Sequence, residues 1–488
     1  MDTPTPTHIS NQYINELIND FYNNVLKESI LSFYNSTTEK SLEMLMDFIY
    51  YDLYSKYGIK RKIIADNAVM LNYSKNHPKY SKDIEILNLF RSVIINPKTM
   101  EIVSLGLPKS SSSIVIDNTL DFSTIQCENF NYGTMIIYNK DKTFTFTTED
   151  SEEKEDNVEN VEKEVREIDA SISTRTKIGT SNFNTDFSHR FYFEQNNLSN
   201  PKNVIDLNEI PDEYKNCSFV FNMTHKREHL CNVSMNTLVA CYKFNLSLDY
   251  WEPIVKIILE SKADDMSKEE HLKNEDLIAS YLKTISSEML VALDLKVVQD
   301  DLVKAGVGYI PIPTKLEFKS LEDALSYVNE MPITEQGIIL WLPDGRRTKI
   351  RNLKFSYVKS LCMNCSINPS PINQKNLFKM YWELNKVNKI PEFLKYYETP
   401  DYRYNFIFNY FHFRINTMIN HLFQVYQQLH VMKNLSNEMV PKFMKPLCYS
   451  LHGLYLADKK PITKERVAHF IYEMNFGNLY GRIFTPIL

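Results

Sequence analysis

The sequence predicts an α+β protein in which antiparallel sheets with helices are followed by an all-α C-terminal domain. Three observations carry that prediction. Apolar residues recur three or four apart near the N-terminus, at Ile14, Leu17, Ile18 and Phe21 and again at Leu42, Leu45, Met46 and Ile49. Short β-branched and aromatic runs separated by polar turns then occupy much of the middle of the chain. From residue 374 helical spacing returns and persists almost to the end. The expected divisions are a helical N-terminal part over 1–85, a sheet domain over 86–372 with an acidic insertion at 149–169, and a helical domain over 373–488.

The elements follow in order. Residues 9–57 read as helices. Phe90–Gly106 (FRSVIINPKTMEIVSLG) reads as a hairpin turning at Asn96-Pro97, and Gly133–Thr148 (GTMIIYNKDKTFTFTT) as a second hairpin turning at 139–142. Residues 167–180 resume the strand pattern, and residues 216–245 read as two strands around a polar turn. Residues 248–294 read as helical. Ser320 is placed to cap an amphipathic helix over 320–331. Residues 335–355 (EQGIILWLPDGRRTKIRNLKF) read as a strand pair, because Asp-Gly favours the tight turn of a hairpin.

Composition narrows the function. The 488 residues carry a net charge of −6. Residues 149–169 hold 11 acids and 3 bases, so that run contributes −8 and reads as a solvated loop, leaving the rest of the chain slightly positive. Glycine occurs 11 times, about a third of ordinary usage. No glycine-rich phosphate loop or dinucleotide fingerprint is present, which excludes P-loop and Rossmann readings. Seven scattered cysteines suit reduced thiols. No apolar stretch is long enough to span a bilayer, and no signal peptide is visible, so no membrane partner is expected.

Taken in order, the β-rich segments resemble the covalent nucleotidyltransferase superfamily, and within it the phage-type RNA ligase branch with its divergent relatives in large DNA viruses of eukaryotes. Arg91–Ser110 resembles the hairpin ahead of the nucleophile. Phe130–Ile136 (FNYGTMI) stands where the family has K-x-D-G-S. Ile172–Gly179 (ISTRTKIG) resembles the strand after it, and Ser218–Phe221 (SFVF) the aromatic-acidic stacking strand. Glu335–Leu340 (EQGIIL) resembles the E-G motif, and Thr348–Phe355 (TKIRNLKF) the closing K-x-K motif. The resemblance spans most of residues 88–365 and implies an RNA-ligase-like fold, with the helical tail as an accessory domain. It further implies nucleic-acid or nucleotide partners, other viral proteins as associates, and a location in the host cytoplasm at viral factories or in the virion.

The resemblance fails where the covalent chemistry resides. Family members attack ATP or GTP with a neutral lysine amine, assisted by Mg2+ held on acids. With the motif glycine at Gly133, the nucleophile position is Phe130 and the acidic position is Tyr132. The E-G pair reads Gln336-Gly337, and Glu335 is displaced by one residue, which on a strand reverses the face. Val220 stands where an acid is common in the stacking strand. Cations are better kept: Lys349 and Arg351 match the closing motif, and Arg175, Lys177 and Lys109 add charge, with Arg346 and Arg347 nearby. These five residues, Arg175, Lys177, Lys349, Arg351 and Lys109, are the candidate phosphate-binding set, and no catalytic residue is assigned. The expectation is a degenerate enzyme that binds RNA or single-stranded nucleic acid without a certain cofactor.

Two alternatives stay open at this point. An active ATP- and Mg2+-dependent RNA ligase or capping-type transferase would need a displaced lysine, and Lys109, Lys140 and Lys142 are the candidates. A zinc peptidase is the other, because His225–His229 (HKREH) fits the H-x-x-E-H order. Its flanks read as strands, which argues against the helix that chemistry needs. Cys362-Met-Asn-Cys365 is a lone pair without a second pair to complete a zinc site.

Overall fold

Why the strands pair as they do is set by alternation and by a few tight connections. In this computed structural model, residues 12–36, 40–65, 68–81, 84–91, 93–111, 114–130, 133–139, 143–148, 164–169, 172–174, 209–224, 235–244, 251–261, 267–286, 290–363, 374–399 and 403–484 are described. The chain forms two units, residues 1–352 and 353–488. The first is α+β and the second is helical among its described residues.

The first unit begins with helix Gln12–Asp20, which passes through a wider turn at Phe21–Leu26 into helix Lys27–Ser36. Helix Leu42–Tyr57 follows. Ser41 caps it by accepting from Met44 N, and Gly58 ends it in the left-handed conformation at φ +69°. Then come β1 (Ile59–Ala65), β2 (Ala68–Tyr73), β3 (Val93–Ile95) and β4 (Ile102–Leu105), an antiparallel meander in that order. The β3–β4 turn is the hairpin expected at Asn96-Pro97, closed by Met100 N donating to Asn96 O.

The chain continues through β5 (Gln126–Asn129), β6 (Thr134–Asn139), β7 (Thr143–Thr148), β8 (Glu164–Asp169), β9 (Ile172–Thr174), β10 (Cys217–Thr224) and β11 (Met235–Phe244). It ends the sheet region with β12 (Leu290–Ala292), β13 (Lys315–Leu316), β14 (Gly337–Trp341) and β15 (Arg347–Arg351). A central sheet has the order β12-β11-β10-β6-β9, and a second has β13-β5-β14-β15. Every described pairing is antiparallel.

Two expectations are corrected here. β6 does not fold back on β7; it pairs with β10 and β9. β7 instead pairs with β8, from Thr143 opposite Asp169 to Thr148 opposite Glu164. The end of the acidic run is therefore strand, not loop. In the sequence its charges outnumber Val165 and Ile168, while the run opposite it, TFTFTT, has strong β propensity.

The central sheet is buried on both faces. Phe219, Phe221, Met223, Leu238 and Cys241 pack with Val298 and Leu302 of helix Leu295–Lys304. Val220, Ala240 and Tyr242 face a larger core built by the N-terminal helices, the β1–β4 sheet and helices Trp251–Glu260 and Lys268–Ser286. β11 manages both tasks through a bulge: Val220 lies opposite Ala240, Phe221 lies opposite Leu238, and Val239 is the extra residue.

The second sheet packs one face on helix Leu321–Glu330, which Ser320 caps by accepting from Asp323 N. Cys127, Ile338, Leu340 and Ile350 meet Leu321, Ala324 and Val328 there. The other unit gathers helices Leu353–Ser360, Gln374–Lys386, Ile390–Tyr397, Tyr404–Tyr426, Lys445–Asp458, Lys464–Tyr472 and Phe476–Ile483. Its aromatic density is core: Phe378 lies within 5.2 Å of Phe411 and 5.3 Å of Phe484, ring centre to ring centre. Among the described residues no helix is long and apolar enough to cross a membrane.

Gly337 starts β14 at φ +133°, and a Cβ there would collide with the Ile350 carbonyl oxygen and touch Arg351 Cα at 3.0 Å. Gly337→Ala is expected to cost at least about 2 kcal/mol through strain and lost pairing. A denaturant titration showing wild-type stability would refute that role.

Candidate functional site

Alternation along the second sheet decides which side chains reach the cleft. With Cys127, Ile338, Leu340 and Ile350 turned to the helix, Gln126, Glu128, Ile339, Trp341, Arg347, Lys349 and Arg351 share the opposite face. Register arranges them in rows. Glu128 lies opposite Ile339, which lies opposite Lys349; Gln126 lies opposite Trp341, which lies opposite Arg347. Across from this face stands β11, and between the two sheets is a cleft lined by Glu128, Trp341, Arg347, Lys109, Val239 and Tyr242, among others.

Arg347 organises the floor. It is only 5% exposed. Its Nη2 donates to Pro108 O at 2.5 Å, and its own carbonyl accepts from Ser111 N at 2.9 Å. The guanidinium lies 5.4 Å from the Trp341 ring centre. Among the described residues its Nε has no hydrogen-bond partner. Burial, with the nearby Arg91 charge, pushes its pKa down to about 10, and at neutral pH it stays a cation. By pinning residues 108 and 111, Arg347 brings Lys109 to the cleft wall, where Lys109 N also donates to Asn88 O at 2.9 Å.

Glu128 is the buried acid of the cleft, 5% exposed. It accepts from Trp341 Nε1 at 2.9 Å and from Gln126 Nε2 at 3.1 Å. Burial raises its pKa, partly offset by the Trp341 bond and by the charges of Lys315 and Arg347. The N-terminal helix closes one side: Tyr13 N donates to Asp344 O at 2.9 Å, and Asn88 Nδ2 donates to the Tyr13 hydroxyl at 2.8 Å.

Three of the residues singled out from sequence come together. Phe130 follows β5, and its N–H donates to Gly337 O at 2.9 Å, which carries it alongside the start of β14. Lys349 Nζ sits 4.0 Å from the Phe130 ring centre, and Arg351 Cζ sits 6.0 Å from it. The benzyl ring thus packs beside both cations of β15, closest to Lys349. Lys109 lines the neighbouring cleft. Arg175 and Lys177 lie outside the described residues, as do Lys140, Lys142 and the HKREH segment. Cys362 is buried and in no disulfide, and Cys365 is outside the described residues.

Among the described residues the acids of the two motifs do not converge on the cleft. Gln336 is buried as an amide, and Glu335 precedes β14 in a turn, its N–H donating to Pro332 O. Glu128 is occupied by Trp341 and Gln126. Among the described residues no three His, Cys, Asp or Glu side chains gather as a metal cluster. Sequence reasoning missed Glu128 and Trp341. The sequence carries the two-residue spacing of Glu128 from Phe130 but, in a polar run, not the strand β5 that gives the spacing a face.

Comparison with protein-family models and with curated proteins finds no match.

The raised pKa of Glu128 has a defined sign. The folded state holds that proton more tightly than the unfolded chain, so the group's contribution falls as pH rises from about 4.3 through its folded value. Glu128→Gln keeps the shape and removes the titration. Its stability relative to wild type is expected to rise with pH above that point, read by melting curves at successive pH values. A difference independent of pH would show that Glu128 is ionised normally.

Proposed function

We propose that the chain is an RNA-ligase-like nucleotidyltransferase-fold protein that has given up covalent transfer and binds nucleotides or RNA ends reversibly, in viral RNA processing or assembly. The observation that supports this most directly is the packing of Phe130 against Lys349 and Arg351. A phenyl ring has no lone pair with which to attack phosphorus, yet the two cations beside it keep the charge that phosphate requires. The cleft next to them adds a flat aromatic wall in Trp341, a cation in Arg347 and a buried acid in Glu128. That set suits a planar heterocycle with a charged tail.

One observation favours a second reading. Lys109 lines the same cleft, so a migrated amine has a candidate. Incubation with labelled ATP or GTP and a divalent cation, followed by denaturation, separates the two. No adduct is expected, while a fluorescent nucleotide binds reversibly. The double variant Lys349→Ala, Arg351→Ala is expected to weaken that binding at least about tenfold, since hydrogen bonds to charged groups contribute ~1.5–3 kcal/mol each. A covalent adduct abolished by Lys109→Ala would replace the proposal with the enzyme.

A further inference from the structure

The loop between β2 and β3 carries a surface that the cleft alone does not explain. Residues 74–81 read SKNHPKYS, with two lysines and no acid. Lys75 and Lys79 are both exposed. The loop is a built structure. Ser74 N donates to Gly58 O at 2.8 Å, Tyr80 N to His77 O at 2.9 Å and Lys79 N to His77 Nδ1 at 3.3 Å. His77 packs on Tyr54 with ring centres 5.0 Å apart, and its Cβ lies so near Gly58 that a Cβ there would approach within 2.7 Å. The left-handed glycine ending helix Leu42–Tyr57 thus seats the loop.

Two tyrosines flank this segment. Tyr73 and Tyr80 stack on one another, ring centres 5.7 Å apart and planes 13° from parallel, both only partly buried. Lys109 Nζ lies 5.9 Å from the first ring and 6.0 Å from the second. The same lysine lines the cleft. A stacked aromatic pair, exposed lysines beside it and a lysine leading inward are the components with which proteins hold single strands: rings stack bases of any sequence, and cations follow the phosphates.

We infer that Tyr73, Tyr80, Lys75, Lys79 and Lys109 form a platform for single-stranded RNA whose end lies toward the cleft. The inference rests on the reading of the cleft given above and adds the partner and its path. Tyr80 supplies the outer stacking surface, Lys75 and Lys79 contact phosphates, and Lys109 passes the strand to the anion-binding floor.

The test uses the full chain and a labelled oligouridylate of about 12 nucleotides, within the span that such platforms cover. Anisotropy is read across a salt series. Tyr80→Leu keeps apolar bulk and is expected to weaken binding about tenfold, whereas Tyr80→Trp retains it. Lys75→Ala with Lys79→Ala is expected to lower the slope of log K against log salt by about 1.4, two single-strand contacts. Melting curves check that each variant is folded, and the fluorescent nucleotide reports the cleft separately. Equal affinity of wild type, Tyr80→Leu and the double lysine variant overturns the platform. So does duplex RNA competing as well as single strands. If nucleotide binds and oligonucleotide does not, the platform fails and the cleft reading stands; if neither binds, both fail.

Discussion

A guanidinium buried at the base of the cleft is the interaction on which the rest of the site depends. Arg347 leaves water almost completely, and it is held by the Pro108 carbonyl, by the face of Trp341 and by the field of Glu128. Burying an unpaired cation is costly, so the surroundings must supply these partners. In doing so they fix the path of residues 108–111 against β15 and set Lys109 at the wall. Removing Arg347 would release that segment as well as a charge, so its loss would not isolate a binding contribution.

The arrangement shows which residues the sheet requires whatever the cleft binds. The sheet needs alternating faces regardless of function: one packs on helix Leu321–Glu330, and the other meets the central sheet. Phe130 satisfies that demand, because an aromatic ring can be partly buried under a lysine and an arginine at little cost. A lysine in the same place would face two like charges and would remain there only where a nucleotide or an acid offsets them. Phe130 therefore adds no third charge beside Lys349 and Arg351.

Much of this was legible in the sequence, and the failures have physical causes. The helical ends, the Asn96-Pro97 hairpin, the Ser320 cap and the Pro-Asp-Gly turn before β15 are local signals, read from adjacent residues. The partner of β6 was not, because antiparallel neighbours in this sheet come from β10, some eighty residues away, and nothing in GTMIIYNKDK reveals a distant partner. The acidic run likewise hid β8, because its charges outnumber Val165 and Ile168 in the sequence pattern. In the site, the alternation of Lys349 and Arg351 about Ile350 was readable, and it puts both on one face of β15. Glu128 was not, since its neighbours Gln126 and Asn129 make β5 look like a polar connection.

The bulge in β11 has a further consequence for how this chain can change. On either side of Val239 the strand presents opposite parities, so that Leu238 and Cys241 both reach the same apolar layer while Val239 itself opens to the cleft. Loss of that one codon would restore regular alternation and exchange inside for outside along half the strand. Point substitutions can therefore accumulate around the cleft, but a shift in length at that spot cannot. When remote kin of this chain are aligned, the strand will keep its count there even where none of its letters agree.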